Sequence, residues 1–203
     1  MIGLVGCQAL GFEQDISGFG EAIRFGTFQV ASIMSTTGFA TADINAWPAL
    51  SKGIIVALMF FGGCAGSTAG GFKLSRVIIL MRALKREIRK LVHPRSVGSV
   101  HFEGKAVDES TVSSISSYLS IYCACLLGTF ILISTDPSMG LTENLVASIT
   151  CFNNVGPGFG RIASEFSGYS AFSKSVLALS MLVGRLEIYP ILLALLPSTW
   201  TRR

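Results

Sequence analysis

The stretch STTGFA, from Ser35 to Ala40, decides the fold together with a second stretch, NNVGPGFG, from Asn153 to Gly160. Each of these glycine-centred loops follows a short apolar stretch and precedes a longer apolar segment. Glycine allows backbone conformations that turn neighbouring carbonyl groups to one side. A bare cation crosses a membrane only where oxygen atoms replace its hydration shell. Two such loops in apolar surroundings therefore indicate part of an ion pore.

The composition is that of a membrane protein. Half of the residues are hydrophobic, 14% are charged, and the mean hydropathy is +0.59, whereas soluble domains carry about 25% charged residues. The runs Gly53 to Phe72 and Ser110 to Thr135 contain no charge, and Ser175 to Trp200 contains only Arg185 and Glu187. A membrane-spanning helix needs about 20 such residues. The sequence therefore predicts an all-α integral membrane protein.

The distribution of basic residues predicts the topology. Beside a membrane span, a basic cluster marks the cytoplasmic side, so the C-terminal end at Arg202 and Arg203 is expected in the cytosol as well. Three apolar segments lie between the two basic ends, and the parity of crossings is restored if the middle one, Asn144 to Gly160, is re-entrant. The basic cluster consists of Lys73, Arg76, Arg82, Lys85, Arg86, Arg89, Lys90 and Arg95.

The chain also resembles itself. Val30-Ala31-Ser32-Ile33 recurs as Val146-Ala147-Ser148-Ile149, and Gly38 then corresponds to Gly156. Such an internal repeat is common in membrane transport proteins. We therefore expect repeated, potassium-channel-like units of membrane helix, pore helix, filter loop and membrane helix. The expected division is residues 1–95, a cytosolic connection at 96–110, and residues 111–203.

The expected elements follow from these units. Met1 to Phe12 is too short to span and is interpreted as the remnant of a first helix. The predicted pore helices are Phe19 to Met34 and Leu141 to Cys151. The other predicted helices are a long, broken one from Ser51 to Leu91 and spans from Thr111 to Ser134 and from Ala171 to Leu196.

The first candidate site combines Thr36-Thr37-Gly38 with Asn154-Val155-Gly156. A pore helix that ends just before such a loop points its partly negative C-terminal end at the ion. Potassium is large and weakly hydrated, so neutral carbonyls can replace its water. Calcium or magnesium would call for carboxylates, and neither loop contains one. The competing interpretation of each loop alone is an ordinary turn.

The second candidate is GGCAGSTAGG, from Gly62 to Gly71, in the middle of an apolar segment. Glycines four residues apart favour close helix packing, whereas five glycines in this stretch each cost about 1 kcal/mol of helix propensity. The sequence leaves open a packed helix or an unwound gate. Arg185 is predicted at the same depth, because Gly184 matches Gly62 in the repeat, and it either faces the loop carbonyls or pairs with Glu187.

At these residues the chain resembles the Trk/Ktr/HKT superfamily of potassium transporters, in its Trk-type pore-forming subunits. The resemblance implies four membrane–pore–membrane repeats around a single-glycine filter, of which this chain covers the third and fourth. It implies potassium coordination by carbonyls of Thr36, Thr37, Asn154 and Val155, with Gly38 and Gly156 as filter glycines. The strings that carry it are STTGFATADINAWP, GGCAGSTAGGFK, KREIRKLVHPRSV, NNVGPGFG and GRLEIYPILL.

The resemblance also implies a gate, partners and a location. Gly62, Gly63, Gly66, Gly70 and Gly71 would belong to an intramembrane gating loop, with Arg185 as the associated arginine. The partners would be a cytosolic nucleotide-binding ring subunit, a second pore in a homodimer and the lipid bilayer, without nucleic acid. The location would be the bacterial cytoplasmic (inner) membrane, in a multi-pass arrangement with a cytosolic C-terminus.

Two repeats do not close a four-sided pore. We therefore expect either a C-terminal fragment that needs the remaining N-terminal repeats, or the assembly of two copies. The alternatives are a carrier for a solute other than potassium and an inert membrane fragment. An enzyme is not expected, because the sequence has no nucleophile–base pair, metal cluster or phosphate loop on a soluble fold, and no organic cofactor is implied.

Overall fold

Helices make up most of the described chain, as the apolar runs predict. The computed structural model describes residues 19–63, 70–93, 99–102, 104–163, 165–186 and 190. The remnant helix predicted at Met1 to Phe12 lies outside these residues. The helices are α1 (Phe19–Met34), α2 (Ala49–Phe60), α3 (Leu74–Val92), α4 (Glu109–Ile133), α5 (Leu141–Phe152) and α6 (Ala171–Arg185).

α4 is the candidate membrane-spanning helix of the described chain. Within the described ranges it alone is both long enough and apolar enough to cross a bilayer, with 25 residues. Its large apolar side chains Leu127, Ile131 and Leu132 are exposed, as expected for a surface that lipid covers. The predicted span from Thr111 to Ser134 coincides with this helix. The first part of the span predicted from Ala171 to Leu196 is α6, which ends at Arg185, and residues 187–189 and 191–196 lie outside the described part of the chain.

α5 lies at the centre of the fold. It packs against α4 and α6, and every residue from Val146 to Phe152 is buried. Polar side chains take part in this core, since Ser148 and Thr150 are almost completely buried. The hydroxyl of Ser148 donates to a carbonyl within α5, and that of Thr150 donates to a carbonyl in the loop that follows. These bonds remove the cost of an unpaired buried polar group. The helix therefore holds the second glycine loop rigidly in the interior.

The apolar run Gly53 to Phe72 does not form one spanning helix. α2 ends at Phe60, and two short strands, β1 (Phe61–Gly62) and β2 (Phe72–Lys73), pair in parallel with Phe61 opposite Phe72. α3 begins directly after them. The predicted break is therefore present, and a single continuous helix packed through its glycines is wrong. The physical reason is the low helix propensity of the glycines. Residues 64–69 lie outside the described part of the chain.

The connection after α3 contains a small hairpin. Strands β3 (Val100–Phe102) and β4 (Lys105–Val107) pair antiparallel, in a region where Pro94 and Gly98 argue against helix. Arg82 donates to the carbonyl of His101, and Arg86 forms an ion pair with Glu109 at the start of α4. These contacts join the end of α3 to the hairpin and to the beginning of the next span.

Candidate functional site

The two glycine loops begin where α1 and α5, the two predicted pore helices, end. α1 has the predicted bounds, and α5 ends one residue later than predicted. After each helix the chain passes through a left-handed residue, Thr36 at φ 53° and Asn154 at φ 54°, and then a glycine, Gly38 at φ 80° and Gly156 at φ 104°. Positive φ is uncommon for residues other than glycine. Its recurrence in both loops therefore shows one shared backbone conformation.

The backbone hydrogen bonds of the loops are equivalent as well. The amide of Thr37 donates to the carbonyl of Ser32 at 3.0 Å, and the amide of Val155 donates to that of Thr150 at 3.0 Å. A second pair precedes these bonds, from Thr36 to Ile33 and from Asn154 to Cys151, both at 3.1 Å. The loops therefore match residue by residue from the last turn of each pore helix.

In each loop, one side-chain hydroxyl donates to the carbonyl of the residue that follows the loop glycine. Ser32 Oγ donates to the carbonyl of Phe39 at 2.7 Å, and Thr150 Oγ1 donates to that of Pro157 at 2.9 Å. Ser32 and Thr150 thus accept from the amide before the loop glycine and donate to the carbonyl after it. Sequence reasoning missed both residues, although a hydroxyl residue at the same distance before each glycine is visible in the sequence.

The hydrogen bonds correct the register of the internal repeat. The recurrence of the VASI string pairs Ser32 with Ser148, whereas the structure pairs Ser32 with Thr150. The pairing of Gly38 with Gly156 agrees with the structure. The recurring VASI string gave the wrong register within the helices, because small apolar residues are interchangeable there. The hydrogen bonds of the loops fit only one register.

The two loops touch each other at their glycines. A Cβ on Gly38 would lie 2.7 Å from the carbonyl oxygen of Val155, and a Cβ on Gly156 would lie 3.5 Å from the Cα of Gly38. A side chain at Gly38 would therefore collide with the neighbouring backbone. The structure brings the four predicted coordinating residues, Thr36, Thr37, Asn154 and Val155, into two adjoining loops.

A side-chain amide joins the segments that leave the two loops. Asn45 Nδ2 donates to the carbonyl of Gly160 at 3.3 Å, and the amide of Gly160 donates to Asn45 Oδ1 at 2.6 Å. Beside this clamp lies a cavity of about 400 Å³, lined among others by Ala40, Asp43 and Pro157. The clamp is a long-range contact that no local sequence pattern indicates.

The ends of the glycine-rich segment lie against the base of the second loop. A Cβ on Gly70 would overlap the carbonyl oxygen of Asn153, and a Cβ on Gly71 would lie 3.2 Å from Asn153 Oδ1. A Cβ on Gly62 would overlap the carbonyl oxygen of Gly70. Gly63 accepts a hydrogen bond from the amide of Leu74 at 3.4 Å. The predicted gating residue Gly66 lies outside the described residues.

Arg185 is the last residue of α6 and lies near the base of the second loop. The preceding Gly184 packs so closely on α5 that a Cβ would overlap the carbonyl oxygen of Phe152. Gly70 and Gly184 thus contact consecutive residues at the end of one pore helix. The side chain of Arg185 is exposed, and no hydrogen bond or ion pair joins it to another described residue. Glu187, its predicted alternative partner, is not among the described residues.

A carboxylate fixes the other end of α6. Asp136, in the connection between α4 and α5, accepts hydrogen bonds from the amide of Ser170 at 2.8 Å and the hydroxyl of Ser173 at 3.0 Å. It also accepts from the amide of Ser138 at 3.1 Å. The bonds from Ser170 and Ser138 hold the pKa of Asp136 well below its usual range. The ionised carboxylate therefore supports the start of the helix that packs beside the second loop.

Comparisons with known proteins agree with this architecture. A family model described as TrkH, cation transport protein, matches residues 17–201. The Trk system potassium uptake protein TrkH of Vibrio parahaemolyticus is 38% identical over 184 residues, which are 89% of this chain and 37% of that protein. Its namesake from Escherichia coli K12 is 34% identical over 175 residues, which are 85% of this chain and 36% of that protein.

The fold is shared with a solved structure. The crystal structure of the potassium transporter TrkH from Vibrio parahaemolyticus superimposes with a TM-score of 0.81 at 36% sequence identity, over 90% of this chain and 39% of that one. The prediction of an all-α integral membrane fold is thereby confirmed. The chain spans little more than a third of the length of the relatives that it matches.

Proposed function

The chain belongs to the TrkH cation transport family, and from this premise we propose that it forms part of a pore for potassium uptake. The observation that carries the proposal is the pair of equivalent glycine loops that touch at Gly38 and Gly156. The similar proteins are named for potassium uptake, which supports the choice of ion.

In this proposal the carbonyl groups of Thr36, Thr37, Asn154 and Val155 bind potassium. Neutral carbonyls suit a large, weakly hydrated cation, and the absence of carboxylates from both loop sequences argues against calcium or magnesium. The left-handed residue and the glycine of each loop set the direction of the intervening carbonyls. The remaining N-terminal repeats of the same subunit supply the other two sides of the pore.

The glycine-rich segment from Gly62 to Gly71 serves as the gate in this proposal. The close approach of Gly70 to Asn153 supports it, because that contact joins one end of the segment to the base of the second loop. Arg185 follows Gly184 at the same level and places a positive charge near the path of the cation. A charge inside a membrane protein is costly, and it therefore usually faces a polar partner or a water-filled path.

The topology follows from lengths and charges. α5 has 12 residues, or about 18 Å, and is too short for a hydrocarbon core of about 30 Å. This supports a re-entrant pore helix, and with it a multi-pass protein whose basic α3 end and C-terminus face the cytosol. We place the protein in the bacterial cytoplasmic membrane.

The exposed face of α3 is the proposed docking surface for other subunits. Lys85 and Arg89 are exposed on it, beside the exposed apolar residues Leu84 and Ile88. This mixture suits a cytosolic nucleotide-binding ring subunit, and a homodimer of pores is the second partnership that we propose. The bilayer covers the apolar face of α4, and the proposal includes no nucleic acid and no organic cofactor.

Growth of a potassium-uptake-deficient bacterium at low potassium tests the function. The 203-residue chain is compared with its gene extended upstream, both checked for expression in the membrane. Rescue by the extended gene, with rubidium uptake that excess potassium blocks and excess sodium does not, is expected. Rescue by the short chain alone would show that two copies complete a pore. Equal block by sodium and potassium would contradict a potassium filter.

A further inference from the structure

Tyr122 of α4 lies between the second loop and the glycine-rich segment. Its hydroxyl donates to Asn153 Oδ1 at 2.6 Å. Its ring meets the ring of Phe152 edge-on, with centroids 5.1 Å apart. Both the tyrosine and the asparagine are buried. The tyrosine therefore contacts two consecutive residues at the end of the second pore helix.

The same ring also contacts the end of the glycine-rich segment. The rings of Tyr122 and Phe72 meet edge-on with centroids 5.9 Å apart. Phe72 follows Gly71 directly and belongs to β2. A cavity of about 310 Å³ lies beside these two rings and is lined mostly by apolar side chains. Edge-on aromatic contacts of this kind add to the energy of burial.

Asn153 connects Tyr122 to both the second loop and the end of the glycine-rich segment. Its Nδ2 donates back to the carbonyl of Ile149 at 2.9 Å, so one amide group is held at both ends. Gly70 and Gly71 pack against this residue. In the first loop the equivalent residue is Ser35, whose hydroxyl donates to the carbonyl of Ala31 at 2.7 Å. Serine makes the local bond but does not extend to a neighbouring helix.

We propose that Tyr122 is a positioning residue that fixes the described end of the glycine-rich segment, Gly70 to Phe72, to the base of the second loop through Asn153 and Phe72. Removal of its hydroxyl leaves Asn153 Oδ1 buried without its donor, which is costly in a low-dielectric interior. The segment then separates from the loop more often. The consequence for transport rests on the proposed function of this segment as a gate.

The chain provides a matched control on the same pore helix. Tyr169 donates its hydroxyl to Asn144 Oδ1 at 2.9 Å, and both residues are buried. This pair has the same chemistry as Tyr122 and Asn153 but lies at the opposite end of α5. Tyr122→Phe and Tyr169→Phe therefore each remove one buried tyrosine–asparagine hydrogen bond, and only the first one adjoins the glycine-rich segment.

Hydrogen–deuterium exchange of the full-length protein in lipid nanodiscs tests the proposal. Tyr122→Phe is expected to speed exchange of the peptide covering residues 70–77 about fivefold, as the loss of one hydrogen bond predicts. Tyr169→Phe is expected to leave that peptide unchanged. Equal exchange in both variants, or no change in either, would overturn the inference.

Asn153→Ser guards against a folding defect in Tyr122→Phe. It introduces the residue of the first loop, keeps a donor for Ile149 and removes the acceptor for Tyr122. The same increase in exchange is expected, and the double variant is expected to show no further increase, because both changes break one bond. Additive effects would contradict the inference.

Rubidium uptake separates the inference from the proposed function. If the segment is the gate, Tyr122→Phe raises the uptake rate at least twofold, with unchanged preference for potassium over sodium. Faster exchange with unchanged uptake would support the positioning role and contradict the gate.

Discussion

The first and second glycine loops have the same backbone conformation in opposite surroundings. Phe39 of the first loop is 69% exposed, whereas Pro157, its equivalent in the second loop, is buried. The φ angles and the backbone hydrogen bonds nevertheless agree. This agreement indicates that the loop conformation is set locally, by the end of the preceding helix, one hydroxyl and one glycine. Burial is added by the neighbouring helices and does not create the loop.

The largest effect is expected from alanine at the loop glycines. Gly38→Ala forces a side chain onto the carbonyl of Val155 and into a positive φ, whereas Gly156→Ala meets ordinary contact distances and has the conformational strain alone. Rubidium uptake is expected to fall roughly 100-fold for the first and roughly 10-fold for the second. The exposed loop is thus the more sensitive one.

Gly128→Ala is the control for this prediction. A Cβ on Gly128 meets nothing within 4 Å in the interior of α4, so uptake is expected within about twofold of the parent protein. A stronger loss from Gly156→Ala than from Gly38→Ala would show that close contact with the neighbouring loop does not govern sensitivity.

The hydrogen bonds of the two hydroxyls, from Ser32 to Phe39 and from Thr150 to Pro157, compare the surroundings of the two loops more directly. Thr150→Val leaves the buried carbonyl of Pro157 without a donor and is expected to lower the free energy of unfolding by about 1–3 kcal/mol. Ser32→Ala is expected to cost less than about 1 kcal/mol, because the hydrogen bond from Ser32 to Phe39 is only partly buried. Denaturant unfolding in detergent micelles measures both.

Conservative exchanges test whether the hydroxyl itself is responsible. Thr150→Ser and Ser32→Thr keep the donor and are expected to keep most of the stability. Equal losses in Thr150→Val and Ser32→Ala would show that the surroundings of the loops do not matter.

The clamp between the loops is expected to have a smaller effect. Asn45→Ala removes both hydrogen bonds to Gly160 and is expected to cost about 1 kcal/mol of unfolding free energy. Asn45→Asp keeps the acceptor for the amide of Gly160 and is expected to recover about half of the loss. Thermal unfolding measures the three proteins side by side. Full stability of the alanine variant would mean that the loops hold their contact without the clamp.

The smallest effect concerns pH and the second repeat alone. The folded-state pKa of Asp136 is depressed, so its stabilisation is present above the ordinary pKa of an aspartate, about 3.9, and is lost as the pH falls through the depressed value. Asp136→Asn is therefore expected to lower the melting temperature at pH 7 and to reduce its decrease between pH 4 and pH 2. A variant with the parent's full acid sensitivity would contradict this account.

Local features could be predicted from the sequence, and contacts between distant segments could not. The bounds of α1, the glycine positions and the break before Leu74 follow from residue types within a few positions. The register of the repeat was wrong at Ser32, because apolar strings recur without structural equivalence. The bonds of Tyr122 to Asn153 and of Asn45 to Gly160 depend on how helices pack, which no local pattern records. The predicted roles of Thr36, Thr37, Asn154, Val155 and Arg185 stay predictions.

The parallel pairing of β1 with β2 has a consequence for variation among related chains. Phe61 lies opposite Phe72, so the chain leaves α2 and enters α3 at almost the same point. Insertions or deletions between these strands change the size of a closed excursion without moving either helix, and loop length alone has a small entropic cost. The number of residues between Gly63 and Gly70 can therefore change while the scaffold around the two loops stays in place, whereas Gly70 and Gly71 are fixed by their packing against Asn153.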